Sequence, residues 1–301
     1  MSGSAPGAFI LGCAGIDLDP EEAAFFREAD PWGFILFARN VDTPDRLRRL
    51  TGRLREAVGR EAVILMDQEG GRVQRLRPPH WSEWPVPLDQ MEAAGDPVRA
   101  MFLRARLIAD ELRAVGIDGN CTPTADIAGE NTHPFLRNRL YGHDVETVVA
   151  RARANAEGCL AGGVLPVMKH IPGHGRATAD SHLSLPRVET DAETLDATDF
   201  EVFRHLADLP LAMTAHVVYA ALDDERCATL SPVLGRVIRE QIGFDGLLMT
   251  DDISMGALSG NLSDLCAVSL AAGSDMVLHC NGERAEMEVV AAVCPRLDGP
   301  A

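Results

Sequence analysis

Eight short apolar runs, separated by longer segments of helical period, constrain this chain more than any other feature. They are "AFILGCAG" (8–15), "GFILFARN" (33–40), "AVILMDQEGG" (62–71), "GIDGNCTPTADI" (116–127), "GVLPVMKH" (163–170), "LAMTAHVVY" (211–219), "FDGLLMTDDIS" (244–254) and "SDMVLHCNG" (274–282). Their apolar stretches are near-continuous rather than alternating, which is how a strand buried on both faces reads. Between them the periodicity predicts helices over 20–29, 43–58, 97–114, 144–161, 191–207, 231–242, 262–272 and 283–293. Asp19, Thr43, Asp96 and Ser231 each precede a proline, the pairing of a polar N-cap with Pro at the first helical position. Strand and helix units alternating in this way predict a parallel sheet covered on its outer face. The natural closure is an α/β fold, a single (β/α)8 TIM barrel occupying residues 1–301 as one domain.

The polar residues follow the same plan. Asn40, Asp67, Asp126, the pair Lys169 and His170, Asp251 and Asn281 sit at the ends of six runs, and His216 is similarly placed in a seventh. In a barrel the C-terminal ends of all strands meet at one face, and that face holds the site. A flat sheet would not gather them. The long connections 71–96 and 128–143, rich in Pro, Trp and Arg, are expected to wall a pocket.

Charge and cysteine usage narrow the function classes. A formal net charge of −17 argues against a broad phosphate-binding surface, which needs clustered Lys and Arg. The 7 cysteines form no C-x-x-C pair and read as reduced thiols in apolar segments. The run ending at Cys13 resembles a lipoprotein cleavage site, but no Lys or Arg precedes it and the apolar stretch is too short, so it reads as the first strand. No window is long and apolar enough for a membrane span. The expectation is a cytoplasmic monomer acting on a small molecule, with no nucleic-acid or membrane partner, no cofactor and no metal.

Four stretches carry candidate chemistry. In "MTDDISM", strand alternation lets only one of Asp251 and Asp252 point into the barrel mouth, where an ionised carboxylate can attack an electrophilic carbon; equally, the pair can simply end the strand and cap a turn. "KHIPGHGRATADSH" is too broken by Gly and Pro for a helix interior. Its Asp180 and His182 have the spacing of a carboxylate that orients an imidazole acid/base. Its histidines, with His216, also admit a metal-dependent barrel hydrolase. "DQEGGRVQRL" places Asp67 where it can accept bonds from vicinal sugar hydroxyls and Arg75 where it can donate, or the two can pair with each other. Arg137 and Arg139 are surface cations by default, unless the loop brings one to the barrel face.

Taken in order, "DQEGGRVQRL", "KHIPGHGRATADSH", "MTAHVVY" and "MTDDISM" resemble the family 3 glycoside hydrolases, most closely the bacterial β-N-acetylhexosaminidases of peptidoglycan recycling. The likeness runs from about Ala8 to about Asn281. It implies Asp251 as nucleophile and His182 as acid/base assisted by Asp180. It also implies Asp67, Arg75, Arg139, Lys169 and His170 as the residues that hold the sugar. The substrate it implies is a muropeptide carrying terminal GlcNAc on 1,6-anhydro-N-acetylmuramic acid, cleaved with retention. Ile171 replaces the family's Phe in K-H-F-P-G-H-G, and Leu140 stands where Ser usually follows the arginine, which leaves Arg137 as an alternative to Arg139. A neutral imidazole donor repels anions less than a carboxylate, so phosphate is a conceivable acceptor beside water. A non-catalytic sugar-binding protein on the same barrel is the third reading.

Overall fold

The computed structural model describes residues 5–130, 132–177 and 185–297. Eight parallel strands close into a barrel: β1 (Gly7–Gly12), β2 (Pro31–Leu36), β3 (Val63–Met66), β4 (Gly119–Asn120), β5 (Leu165–Ile171), β6 (Leu211–Thr214), β7 (Leu247–Asp252) and β8 (Met276–His279). Each pairs with its sequence neighbours, and β1 pairs with β8 to complete the ring. Among the described residues no helix is long and apolar enough to cross a membrane.

All eight runs became barrel strands, and the expected helices follow them. Helices Pro20–Ala29, Pro44–Val58, Pro97–Arg113 and Pro232–Arg236 start where Asp19, Thr43, Asp96 and Ser231 accept backbone N–H bonds, so the cap readings hold at all four. The expected helix over 191–207 is instead two, Ala192–Ala197 and Asp199–His205, broken at Thr198 (φ −127°, ψ −81°). The fourth strand is shorter than its apolar run. Pro123 has no N–H to donate, and beyond Asn120 the chain keeps company with β5 only through single contacts such as Ala125 N to Lys169 O at 2.7 Å.

Strand alternation sorts the core into two layers. Ile10, Ile35, Leu65, Cys121, Val167, Met213, Met249, Met276 and Leu278 fill the barrel interior. Phe9, Leu11, Phe34, Leu36, Ile64 and Met66 face outward onto the helices Pro44–Val58 and Pro97–Arg113 and their neighbours. Met168, Ala212 and Leu248 do the same on the opposite side. All seven cysteines are free and buried. The interior layer is closed by apolar side chains, so the barrel is a packed plug whose polar end lies where the strands stop.

Candidate active site

At that end a cavity of about 500 Å³ opens. Its wall includes Asp67 just past β3, Lys169 and His170 from β5, Asp251 from β7, and Arg75 and Arg139 from the two long loops. Six of the eight residues singled out from sequence thus share one cavity. Asp180 and His182 lie outside the described residues.

The alternation that built the core also aims the side chains. Asp67 is two residues beyond Leu65, Lys169 two beyond Val167, and Asp251 two beyond Met249, so each continues an inward-facing row into the mouth. Asp252 also touches the cavity, but its Oδ1 accepts bonds from Ser254 N (3.1 Å), Ser254 Oγ (2.8 Å) and Cys280 N (3.2 Å). It caps the turn after β7. Among the described residues Asp251 receives only the amide of Asp252, at 2.8 Å on Oδ1. Burial would raise its carboxyl, yet His216, His170, that amide and Lys169 together hold it below the ordinary carboxylate value. It is therefore ionised at neutral pH and uncommitted enough to act.

Opposite stands a chain of buried charges. Lys169 Nζ lies 2.7 Å from Asp67 Oδ1 and 2.7 Å from Glu69 Oε1. Arg75 reaches the other Asp67 oxygen at 3.1 Å. The pairing of Asp67 with Arg75 is real, and it does not remove Asp67 from the cavity. Burial opposes ionisation of Asp67, but Lys169 and Arg75 more than reverse that penalty and hold it far below the usual range. Glu69 is held down to about 2 by Arg139 and Lys169, again against the cost of burial. Lys169 is raised by Asp67 and Glu69 despite its burial. Every member is thus charged, and a carboxylate flanked by cationic donors is what vicinal hydroxyls need: acceptor and donors side by side.

Arg139 is buried and lines the cavity, whereas Arg137 is exposed and does not. Leu140 and Tyr141 beside Arg139 are fully buried in the core, so Leu140 occupies no place at the cavity wall.

The other strand-end polar groups are braces. Asn40 Nδ2 donates to Gly15 O at 2.8 Å and Cys13 O at 3.1 Å, tying the β1 and β2 ends together. His216 is fully buried behind the β7 terminus, with Nε2 3.0 Å from Asp252 O and Nδ1 2.8 Å from Thr229 Oγ1. Asn281 lines the cavity and donates to Glu286 at 2.6 Å. Among the described residues no group of three His, Cys, Asp or Glu side chains is disposed to hold a metal ion.

Two contributors were not read from the sequence. Glu69 is the buried hub of the charge chain. Phe37 lines the mouth between Arg39 and Arg75, each guanidinium 5.1 Å from its ring centre. The signals were present: Phe37 is two residues past inward-facing Ile35, and Glu69 is an acidic residue between a buried strand and a glycine pair. Gly70 is favoured there by its left-handed backbone (φ +99°), beside Arg104, which donates to Glu69 O at 2.7 Å.

Comparison with known proteins speaks to the chain and its fold as a whole. Residues 19–298 match the family profile described as the glycosyl hydrolase family 3 N terminal domain. A beta-hexosaminidase of Alkalilimnicola ehrlichii is 36% identical over 98% of this chain and 85% of its own length. One from Pseudomonas aeruginosa is 34% identical over 97% of this chain and 87% of its own. Among solved structures, NagZ from Neisseria gonorrhoeae in complex with N-trifluoroacetyl-D-glucosamine superposes with a TM-score of 0.90 at 30% identity, covering 99% of this chain and 88% of that one. A family 3 β-N-acetylglucosaminidase from a Paenibacillus species gives 0.86 at 29% identity; the chain covers 56% of that longer protein, which in turn accounts for 95% of this one. The chain belongs to glycoside hydrolase family 3 and is a glycoside hydrolase.

Proposed function

We propose that this protein is a retaining exo-β-N-acetylglucosaminidase. It releases a terminal non-reducing GlcNAc from peptidoglycan-derived muropeptides in which that sugar is joined to 1,6-anhydro-N-acetylmuramic acid. The observation that carries the reading is the placement of an ionised, lightly bonded Asp251 across one cavity from the Asp67, Lys169 and Arg139 charge chain. A saccharide whose hydroxyls are held on the second set presents its anomeric carbon to the first. That the Neisseria NagZ was solved with an N-acylated glucosamine supports the same assignment of sugar.

In the first step an Asp251 oxygen attacks the anomeric carbon, the bond to the glycosidic oxygen breaks, and His182, oriented by Asp180, gives that oxygen its proton. In the second, water loses a proton to His182 and displaces Asp251, restoring the original configuration. Asp67, Arg75, Arg139, Lys169 and His170 hold the sugar. The chain is one domain, acts as a monomer in the cytoplasm and needs no metal.

Assay of aryl β-glycosides of GlcNAc, GalNAc and glucose, followed by GlcNAc-1,6-anhydro-N-acetylmuramic acid itself, tests this. The expected result is preference for GlcNAc with β-configured product at early times. Release of an α-anomer first, or no turnover of any β-GlcNAc glycoside, overturns it. Conducting the assay in phosphate and in a non-nucleophilic buffer decides between water and phosphate as acceptor.

A further inference from the structure

Asp126 is fully buried and lines no part of the cavity, yet it is placed to act on it. Its Oδ2 is 2.8 Å from His170 Nδ1, and its Oδ1 accepts the backbone amides of His170 (3.3 Å) and His174 (2.6 Å). The hydrogen bonds it receives among the described residues all come from this five-residue stretch. One carboxylate therefore clasps both ends of the turn that follows Lys169.

The consequence concerns His170. An ionised carboxylate accepts only, so the proton it meets must sit on Nδ1. His170 Nε2 makes no hydrogen bond within the described residues and is not among the buried atoms left without a partner. Since the ring lines the cavity, Nε2 is the nitrogen that faces it. His174, the neighbouring imidazole with ring centre 5.3 Å away, is held neutral by burial and by His170, so it does not compete for the carboxylate's charge.

We propose that Asp126 is a positioning residue for the glycosidase reaction: it fixes the Nδ1 proton and the ring plane of His170, so that Nε2 meets a sugar hydroxyl. This rests on the reading of His170 as a sugar-holding residue and adds the group that decides what that residue presents.

Asp126→Asn is the informative change. The side-chain oxygen still accepts the two backbone amides, but the amide nitrogen now faces Nδ1 and donates to it. The ring proton is driven to Nε2, and Nδ1 becomes the acceptor of that bond. Proton and nitrogen NMR of the imidazoles should show His170 with a strongly deshielded proton on Nδ1 in the parent, and the proton on Nε2 in Asp126→Asn. With an aryl β-GlcNAc glycoside, kcat/KM should fall by about 10- to 100-fold, as expected when one oriented polar contact to the substrate is lost or reversed. His170→Gln should cost a similar factor, and the double variant little more than either alone.

Three results overturn the proposal: a parent ring protonated only on Nε2, unchanged kinetics in Asp126→Asn, or losses that multiply fully in the double variant. If Asp126→Asn fails to fold, the parent spectrum still decides. If no β-GlcNAc glycoside is turned over, the glycosidase reading fails by that assay, while the spectrum continues to test the Asp126–His170 pair. A wrong tautomer in an active enzyme sinks only this inference.

Discussion

Arg139 grips Glu69 through two parallel bonds, Nε to Oε2 at 2.9 Å and a terminal nitrogen to Oε1 at 2.8 Å, with the Glu69 side chain fully buried. The pair spans two loops that leave neighbouring barrel strands, and Lys169 shares the same carboxylate at 2.7 Å. Removing the acid takes one buried carboxylate away from two cations in a desolvated wall, where Lys169 keeps only Asp67, at 2.7 Å, as an ion pair among the described residues. Glu69→Gln keeps the shape and removes the charge, so it should destabilise the protein by about 3–5 kcal/mol, the cost of breaking a buried pair. Urea unfolding of parent and variant measures this. A difference below about 1 kcal/mol would mean that water reaches the pair and screens it.

Much of this arrangement is legible in the sequence. The parity of a strand says which of two adjacent aspartates faces the lumen: counting by twos from Met249 reaches Asp251 and leaves Asp252 to the wall, which is where its bonds to Ser254 and Cys280 put it. The same count finds Asp67 and Lys169. It fails for His170, which is out of phase with Lys169, because the ladder between β5 and β6 shifts register between Lys169 and Ile171. Glu69 and Arg139 escaped as partners for another reason. Both sit in loops, 70 residues apart, and no periodicity relates two loops. The break at Thr198 is likewise tertiary, since a run of helical period carries no signal for a kink imposed by packing.

Asp251 bears the reaction in the proposed mechanism, and few bonds hold it, so its replacement should separate activity from stability. Asp251→Ala is expected to lower kcat/KM for an aryl β-GlcNAc glycoside by at least about a thousandfold, while the thermal midpoint moves by only a few degrees. Azide, entering the vacated space, should yield a glycosyl azide of inverted configuration. Full turnover in the variant would transfer the role to another carboxylate, with Asp252 the next to test.

Gly175 shows how the turn after β5 is seated. A Cβ there would stand 1.9 Å from Ile127 O, a backbone atom with no freedom to retreat. Gly175→Ala must push the 170–177 segment away from the 122–128 segment, and with it His174, whose amide is 2.6 Å from Asp126. The expected outcome is a stability loss of about 1–3 kcal/mol, the range for overpacking, together with a raised KM. Gly95 has open space around it, so Gly95→Ala serves as the control and should change neither.

His174 makes stability depend on pH between its native value and that of a free imidazole. It is buried, its Nδ1 has no partner among the described residues, and burial first and His170 second lower its pKa from an ordinary value near 6.5 to about 4. The native ring therefore stays neutral while the unfolded chain takes up a proton. Its contribution is complete above about pH 6.5, and it is lost progressively as pH falls toward 4, because there the unfolded state binds more protons. The gap between the two values corresponds to ~3 kcal/mol at the acid end. Asp67 and Glu69 also lose their contribution in acid, but theirs begins lower, as pH falls through the ordinary carboxylate range of about 4. Denaturant midpoints at pH 7, 6, 5 and 4.5 should thus fall in the parent and stay flatter in His174→Gln, with the two curves converging toward acid. Parallel curves across that range would show that the ring is protonated in the native state and hydrogen-bonded to a group it does not touch in this structure.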